Sequence, residues 1–281
     1  MKGVILAAGY GTRFLPATKT LPKEMLPLLD RPYIDFIVDE YISSGITEIV
    51  IVTSRRKKAL EDYFDREIEL ESVFTAQGSK DKLDRIAPFE AEFYFVRQQD
   101  MKGTGHALLQ AKAFLGKDPF VAAYPDDLHF GETPLAQQLV DTYKKTGCTV
   151  LATLHNPPNL NSYAVLELDD DDLHVTGMEE KPAPGTEKSK EASIGRFLYN
   201  EEFLEELTHA WNHHSGESEF YHVGGITRQI RQKRVVHRRL DGVRVDTGSP
   251  EGYLRALMRY ISQFPSLKSV VEGELAAIDG G

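Results

Sequence analysis

An α/β fold, with a parallel sheet covered by helices, is what this sequence predicts, and two observations carry the prediction. Up to about residue 125, short β-rich runs alternate with amphipathic helical stretches, the order that joins parallel strands by crossover helices. The first apolar run, Lys2 to Ala8, also ends in a long glycine-containing loop instead of a hairpin turn. The remaining elements follow in order. Ile34, Ile37, Val38, Tyr41 and Ile42 recur at i, i+3, i+4, i+7 and i+8 until Gly45, which predicts a helix. Glu48 to Thr53 reads as strand, Lys57 to Phe64 as helix and Glu92 to Val96 as strand. A helix from Gly105 carries Ala107, Leu108, Ala111 and Leu115 on one face, and Pro119 to Tyr124 is the next strand.

After that the pattern changes. Strands near Thr149 to Leu154, Tyr163 to Leu168 and Ser193 to Tyr199 come with few helices between them, as in a mixed sheet with a second layer or subdomain. Asp169 to Asp172 reads as a solvated hairpin tip, and Pro182 to Ala192, without strand signals, as an exposed loop. Ser249-Pro250-Glu251 offers a serine cap and a proline at the first helical position, so the last periodic helix starts there and runs to about Gln263. The expected organisation is a single domain over 1–264, with halves at 1–125 and 126–264, and a tail over 265–281.

Composition excludes several classes. No run approaches the roughly 18 consecutive apolar residues of a membrane span, and the apolar stretch behind Met1 is too short for a signal core, so a soluble cytoplasmic protein is expected, with no membrane partner. A single cysteine, Cys148, forbids an internal disulfide and suits a buried strand residue better than a reactive thiol. The net charge of -10 argues against a surface that coats nucleic acid. Arg228, Arg231, Lys233, Arg234, Arg238 and Arg239 crowd one stretch but lack interleaved aromatics, which favours a solvated or subunit-facing surface. His209, His213, His214, His222 and His237 lack the compact spacing of a zinc site.

The most informative stretch runs from Leu6 to Pro27. It opens at the carboxyl end of the first strand, where open α/β sheets place their ligands. Small residues at Ala7, Ala8, Gly9 and Gly11 let backbone N–H groups approach an anion, and Arg13 and Lys23 add positive charge suited to a triphosphate. Two familiar loops fail on spacing: a dinucleotide loop wants glycine where Phe14 stands, and a Walker loop wants Gly-Lys-Ser/Thr at its end.

The full run from Gly9 to Leu28, G-x-G-T-R-x-x-P-x-T-K-x-x-P-K-E-M-L-P-L, closely resembles the signature of bacterial sugar-1-phosphate nucleotidylyltransferases, in particular the UTP:glucose-1-phosphate uridylyltransferases. The likeness extends from residue 1 to about 260. It implies a doubly wound, mostly parallel, Rossmann-like mixed sheet with a small antiparallel sugar-binding subdomain, and a chain whose first half binds nucleotide and second half sugar phosphate. By the resemblance, Ala8, Gly9, Gly11 and Thr12 line the nucleotide, while Arg13 and Lys23 hold the triphosphate. Val96 to Ala107 resembles the base-binding segment, with Gln98 and the Gly103 backbone reading the pyrimidine edge. Pro125-Asp126-Asp127 and Val245-Asp246-Thr247-Gly248 resemble the metal motifs, implying a magnesium ion at Asp126 and Asp246. Glu179-Glu180-Lys181-Pro182 and Ser193 to Phe197 resemble the sugar-phosphate motifs, with Glu180 on hydroxyls, Lys181 on the phosphate, and Gly195 and Ala164 beside the sugar. A homo-oligomer is a further expectation of the resemblance.

Two departures fall on the expected sugar side. Ala164 stands where the family commonly has glycine, and Glu219 to Ile226 loses a glutamine and an aspartate of the family pattern. The expected reaction is in-line attack of a sugar 1-phosphate on the α-phosphorus of UTP, with Arg13, Lys23 and Lys181 as catalytic cations. Such a nucleophile has a second pKa of about 6 and needs no general base. Three rivals remain: the same fold with dTTP or another sugar, a glycosyltransferase of related nucleotide fold, and a nucleotide-binding regulator without turnover.

Overall fold

In the computed structural model, which describes residues 1–279, the expected strands assemble around one nine-stranded mixed sheet. The first half runs β1 (Lys2–Leu6), the short pair β2 (Pro27–Leu28) and β3 (Arg31–Pro32), α1 (Ile34–Ser43), β4 (Glu48–Thr53), α2 (Lys58–Phe64), α3 (Ile68–Ala76), α4 (Lys80–Arg85), β5 (Glu92–Arg97), α5 (Thr104–Leu115) and β6 (Phe120–Ala123). The second half runs β7 (Asp127–Phe130), α6 (Leu135–Thr146), β8 (Thr149–His155), β9 (Ala164–Leu168), β10 (Val175–Glu180), β11 (Glu191–Tyr199), α7 (Phe203–Asn212), α8 (Val223–Arg231), β12 (Val235–Arg239), β13 (Val243–Asp246), α9 (Pro250–Ile261) and α10 (Pro265–Asp279).

β1 pairs in parallel with β4 on one side and β6 on the other, and β5 extends the sheet beyond β4, again in parallel. The chain reverses direction across the sheet at β1, so the crevice at the carboxyl ends of β1 and β6 is the place where such sheets bind ligands. β11 then runs antiparallel to β6 and β8, and β12 closes the far edge parallel to β8. At its start β11 also pairs with β9 through Ala192 and Ser193, and β9 carries β10, so an antiparallel arm branches from the main sheet.

The sheet is apolar on both faces because helices cover both, as parallel sheets require. Along β1 and β4, Ile5, Ile49 and Ile51 enter one core cluster while Val4, Val50 and Val52 enter the other, following the period of two. Each such fully buried side chain contributes about 1.5–3 kcal/mol.

The elements differ from expectation in a few places. Residues from Pro265, expected as a tail, continue as α10 up to Asp279, with the end of that stretch outside the described residues. Helices α3 and α4 escaped the sequence reading because neither buries a residue, which leaves little apolar periodicity to detect. α6, α7 and α8 add helices to the half expected to have few, and α6 places Leu135, Ala136, Leu139 and Val140 in the core. The serine cap is as expected, with Ser249 Oγ accepting from the Gly252 N–H at 3.2 Å, and Cys148 is buried as expected but sits in the bend just before β8.

Candidate active site

The loop after β1 is shaped by its own small residues. Gly11 has φ +67°, a left-handed value that disfavours any side chain, and the Thr18 hydroxyl donates to its carbonyl at 2.7 Å. A Cβ on Gly11 would also meet the Lys23 Cβ at 3.1 Å, so the turn brings Lys23 under the glycine loop. Ala8 is buried at the end of the strand and Gly9 is exposed beyond it. Gly11, Thr12, Arg13, Phe14, Lys23, Asp126 and Gly248 together line one solvent-open cavity.

Of the two expected metal carboxylates, both from far along the chain, Asp126 lines this cavity and Asp246 stands beside Gly248 at its edge. A Cβ built on Gly248 would lie 2.7 Å from Asp126 Oδ2, 2.8 Å from Asp246 Oδ1 and 3.0 Å from Arg13 Nη1. The missing side chain of Gly248 is thus a cradle flanked by two carboxylates and a guanidinium. Thr247 fixes it by donating its N–H and hydroxyl to the Asp126 carbonyl at 2.7 and 3.0 Å. Two carboxylate oxygens beside one small space suit a hard divalent cation that keeps several waters, so the residues present fit such an ion. Among the described residues there is no cluster of three or more His, Cys, Asp or Glu side chains that would form a closed metal cage.

Lys23 and Asp126 form an ion pair of 2.6 Å. Burial works against both charges, but their attraction outweighs it, holding the Asp126 carboxyl below the usual range and the Lys23 ammonium above its own. Arg13 donates to the Gly248 carbonyl at 3.1 Å and is otherwise exposed.

Gln98, expected at the base, is almost fully buried and donates from Nε2 to the Gly103 carbonyl at 3.0 Å. It thereby holds the loop that opens α5. Gly103 has φ +95°, and a Cβ there would lie 2.5 Å from the Phe220 carbonyl. The segment that departs from the family pattern packs on this loop: Phe220 donates to the Lys102 carbonyl at 2.7 Å and accepts from the Gly105 N–H at 2.9 Å. The helix into which the segment leads, α8, also packs against β10, the strand that carries Glu180. His222 is buried among Tyr124, Phe197 and Tyr199, with Nδ1 2.7 Å from the Tyr199 hydroxyl.

The expected sugar-side residues gather on the antiparallel arm. Ala164 pairs with Glu180 on β10 and with Ser193 on β11, and the Lys181 N–H donates to the Tyr163 carbonyl at 3.0 Å. Glu180 and Lys181 are exposed, and Lys181 takes φ +50°, which turns the chain out of β10. Gly195 is buried, with its N–H on Asp127 Oδ2 at 2.7 Å and its carbonyl accepting from Tyr124 at 2.9 Å, so its backbone is committed to internal contacts.

Several residues at the site escaped the sequence reading. Arg244 donates to both Asp127 oxygens at 2.8 and 3.1 Å, to the Tyr163 hydroxyl at 2.8 Å and to Asp246 Oδ2 at 3.3 Å. Its signal was present: on a strand, Arg244 and Asp246 are two apart and share a face. Behind Lys23, Glu24 is fully buried and accepts from Lys57 at 2.7 and 2.8 Å, which ties the loop to the end of β4. Arg196, equally buried, clasps Glu40 at 2.8 and 3.0 Å. Of the basic run, Arg228, Arg234, Arg238 and Arg239 pair with Glu206, Glu202, Asp241 and Glu191.

A sheet with its ligand crevice at β1, a phosphate-scaled glycine loop and a cradle of two carboxylates define a nucleotidyltransferase, and the chain belongs to the nucleotidyl transferase family, whose model matches residues 2–263. A protein of Staphylococcus epidermidis described as UTP–glucose-1-phosphate uridylyltransferase is 35% identical, over 99% of this chain and 98% of that protein. One of the same description from Staphylococcus haemolyticus is 37% identical over 95% and 94%. Among solved structures, a UDP-glucose pyrophosphorylase complexed with UDP-glucose superposes with a TM-score of 0.80 at 33% identity, covering 93% of this chain and 98% of that one. The UTP-bound UGPase from Acinetobacter baumannii gives 0.87 at 29% identity, covering 98% of both.

Proposed function

We infer that this chain transfers the uridylyl group of UTP to glucose 1-phosphate, forming UDP-glucose and pyrophosphate, with magnesium as its cation. The observation that carries the reading is the meeting of Arg13, Asp126 and Asp246 around Gly248, with Lys23 bonded to Asp126, at the carboxyl ends of β1 and β6. The descriptions of the relatives agree with it. Asp126 and Asp246 would hold the magnesium, which when bound lessens the charge between the sugar phosphate and the triphosphate.

The chain's own groups do the rest. Ala8, Gly9, Gly11 and Thr12 line the nucleotide, and Arg13 and Lys23 offer cationic donors to the triphosphate and to the departing pyrophosphate. Gln98 uses Nε2 on Gly103, which leaves Oε1 as the acceptor that a uracil N3–H needs, beside the Gly103 backbone. Glu180 and Ala164 meet the sugar, Gly195 supports the floor through Asp127, and Lys181 orients the attacking phosphate. The dianionic phosphate attacks the α-phosphorus directly and no proton is removed.

The test is to incubate the protein with magnesium, each nucleoside triphosphate and a panel of sugar 1-phosphates, and to measure pyrophosphate release. UTP with glucose 1-phosphate is expected to be fastest. Faster release with dTTP or with another sugar would replace the donor or the acceptor, and UTP binding without release would leave a regulator.

A further inference from the structure

We propose that Lys23 is the built-in counter-ion of the metal site: its ammonium neutralises Asp126 in the unliganded protein and yields that carboxylate only when a polyphosphate receives it. This rests on the reading of Asp126 as a metal ligand. Cation and nucleotide then bind as a coupled pair, and the protein by itself holds the divalent ion weakly.

The observation is the 2.6 Å bond from Lys23 Nζ to Asp126 Oδ2, the same oxygen that faces the Gly248 cradle. A cation entering the cradle and the ammonium compete for one carboxylate. The two cations bonded to these carboxylates differ in freedom. Arg244, on Asp246, is locked by its two bonds to Asp127 and one to Tyr163. Lys23 has a flexible stem and Asp126 as its hydrogen-bonded carboxylate, so it is the group that can leave.

Where the ammonium can go is equally constrained. Glu24, its neighbour in the chain, is saturated by Lys57 at 2.7 and 2.8 Å. Leaving Asp126 would therefore strand a part-buried ammonium, which is unfavourable unless an anion comes from outside. Arg13 and the N–H groups of the glycine loop border the same cavity, so a triphosphate is the anion that fits. By linkage, each ligand then tightens the other.

The experiment measures manganese binding to the nucleotide-free protein, from the loss of the free-ion paramagnetic resonance signal. Lys23→Met is expected to bind manganese on the order of tenfold more tightly than wild type, although it loses turnover. The gain must vanish in Lys23→Met/Asp126→Asn. Magnesium should raise the melting temperature of Lys23→Met and leave that of wild type nearly unmoved. Should Lys23→Met fold poorly, Lys23→Gln, which keeps a hydrogen bond to Asp126 without charge, is measured in its place. Equal or weaker manganese binding by the folded variant, or a gain that survives Asp126→Asn, overturns the proposal. Pyrophosphate release by wild type is scored separately, so failure of the enzymatic reading is distinguishable from failure of the counter-ion role.

Discussion

Arg244 grips both carboxylate oxygens of Asp127 at 2.8 and 3.1 Å, a side-chain clasp added to the antiparallel pairing of β13 with β7. The same side chain reaches the Tyr163 hydroxyl just before β9, and Asp127 in turn holds the Gly195 N–H. The strand that carries Asp246, the start of the β9–β10 arm and the Gly195 backbone are therefore linked through one part-buried cation.

Lysine cannot reproduce a planar fork. We expect Arg244→Lys to lower kcat/KM on the order of a hundredfold, with a larger rise in KM for the sugar phosphate than for UTP because Tyr163 is released. Initial-rate kinetics in both substrates check this, and an equal change in the two KM values counts against it.

Lys181 is exposed, and among the described residues its one ion pair is with Glu180 at 3.9 Å. Its replacement by alanine should leave the melting temperature unchanged while turnover falls about 10²–10³-fold, the cost of losing one electrostatic donor. A coupled pyrophosphate assay beside a thermal melt separates the two effects, and wild-type turnover would refute the assignment.

Glu24 and Lys57 should behave as one unit. Burial pushes the Glu24 carboxyl up and the Lys57 ammonium down, against their mutual attraction. Lys57→Met leaves a carboxylate buried alone and should cost about 3–5 kcal/mol, whereas Glu24→Gln/Lys57→Met should recover much of it. Denaturant melts of the two single variants and the double variant measure the coupling.

His222 supplies a pH signature. Burial lowers its imidazole from 6.5 to about 4. Between those values the unfolded chain binds the extra proton, so the contribution is full above about pH 6.5 and is lost as pH falls toward 4, on the order of 3 kcal/mol in all. His222→Gln, which keeps a hydrogen-bonding group but does not titrate, should lose less stability than wild type between pH 6.5 and 4.5. Denaturant midpoints across that range check it, and parallel curves would contradict it.

What the sequence disclosed followed from local chemistry. The run Lys2 to Ala8, the helix at Ile34 and the serine cap at Ser249 are short-range patterns, and each is found where expected. The glycine loop was legible because phosphate-scaled turns need small residues and nearby cations at fixed spacing. The approach of Asp246 to Asp126 was reachable only through family resemblance, since nothing local in either strand announces the other. Arg244, Glu24 and Lys57 were missed for a related reason. Charged residues are by default read as surface, and only the fold reveals that their partners lie 117 and 33 residues away.

The separate seating of the β9–β10 arm sets how this protein can diversify. The arm meets the first residues of β11 through Ala192 and Ser193 and is held besides by the His174–Val236 bridge to β12 and by α8, whereas the glycine loop and the Gly248 cradle are built on β1, β6 and the loops between. On the proposed assignment, sequence change within 160–190 should remodel the acceptor pocket while the glycine loop stays intact. Grafting that stretch from a relative with another sugar preference, keeping Tyr163 and the Ala192–Gly195 anchor, is the economical route to a different nucleotide sugar.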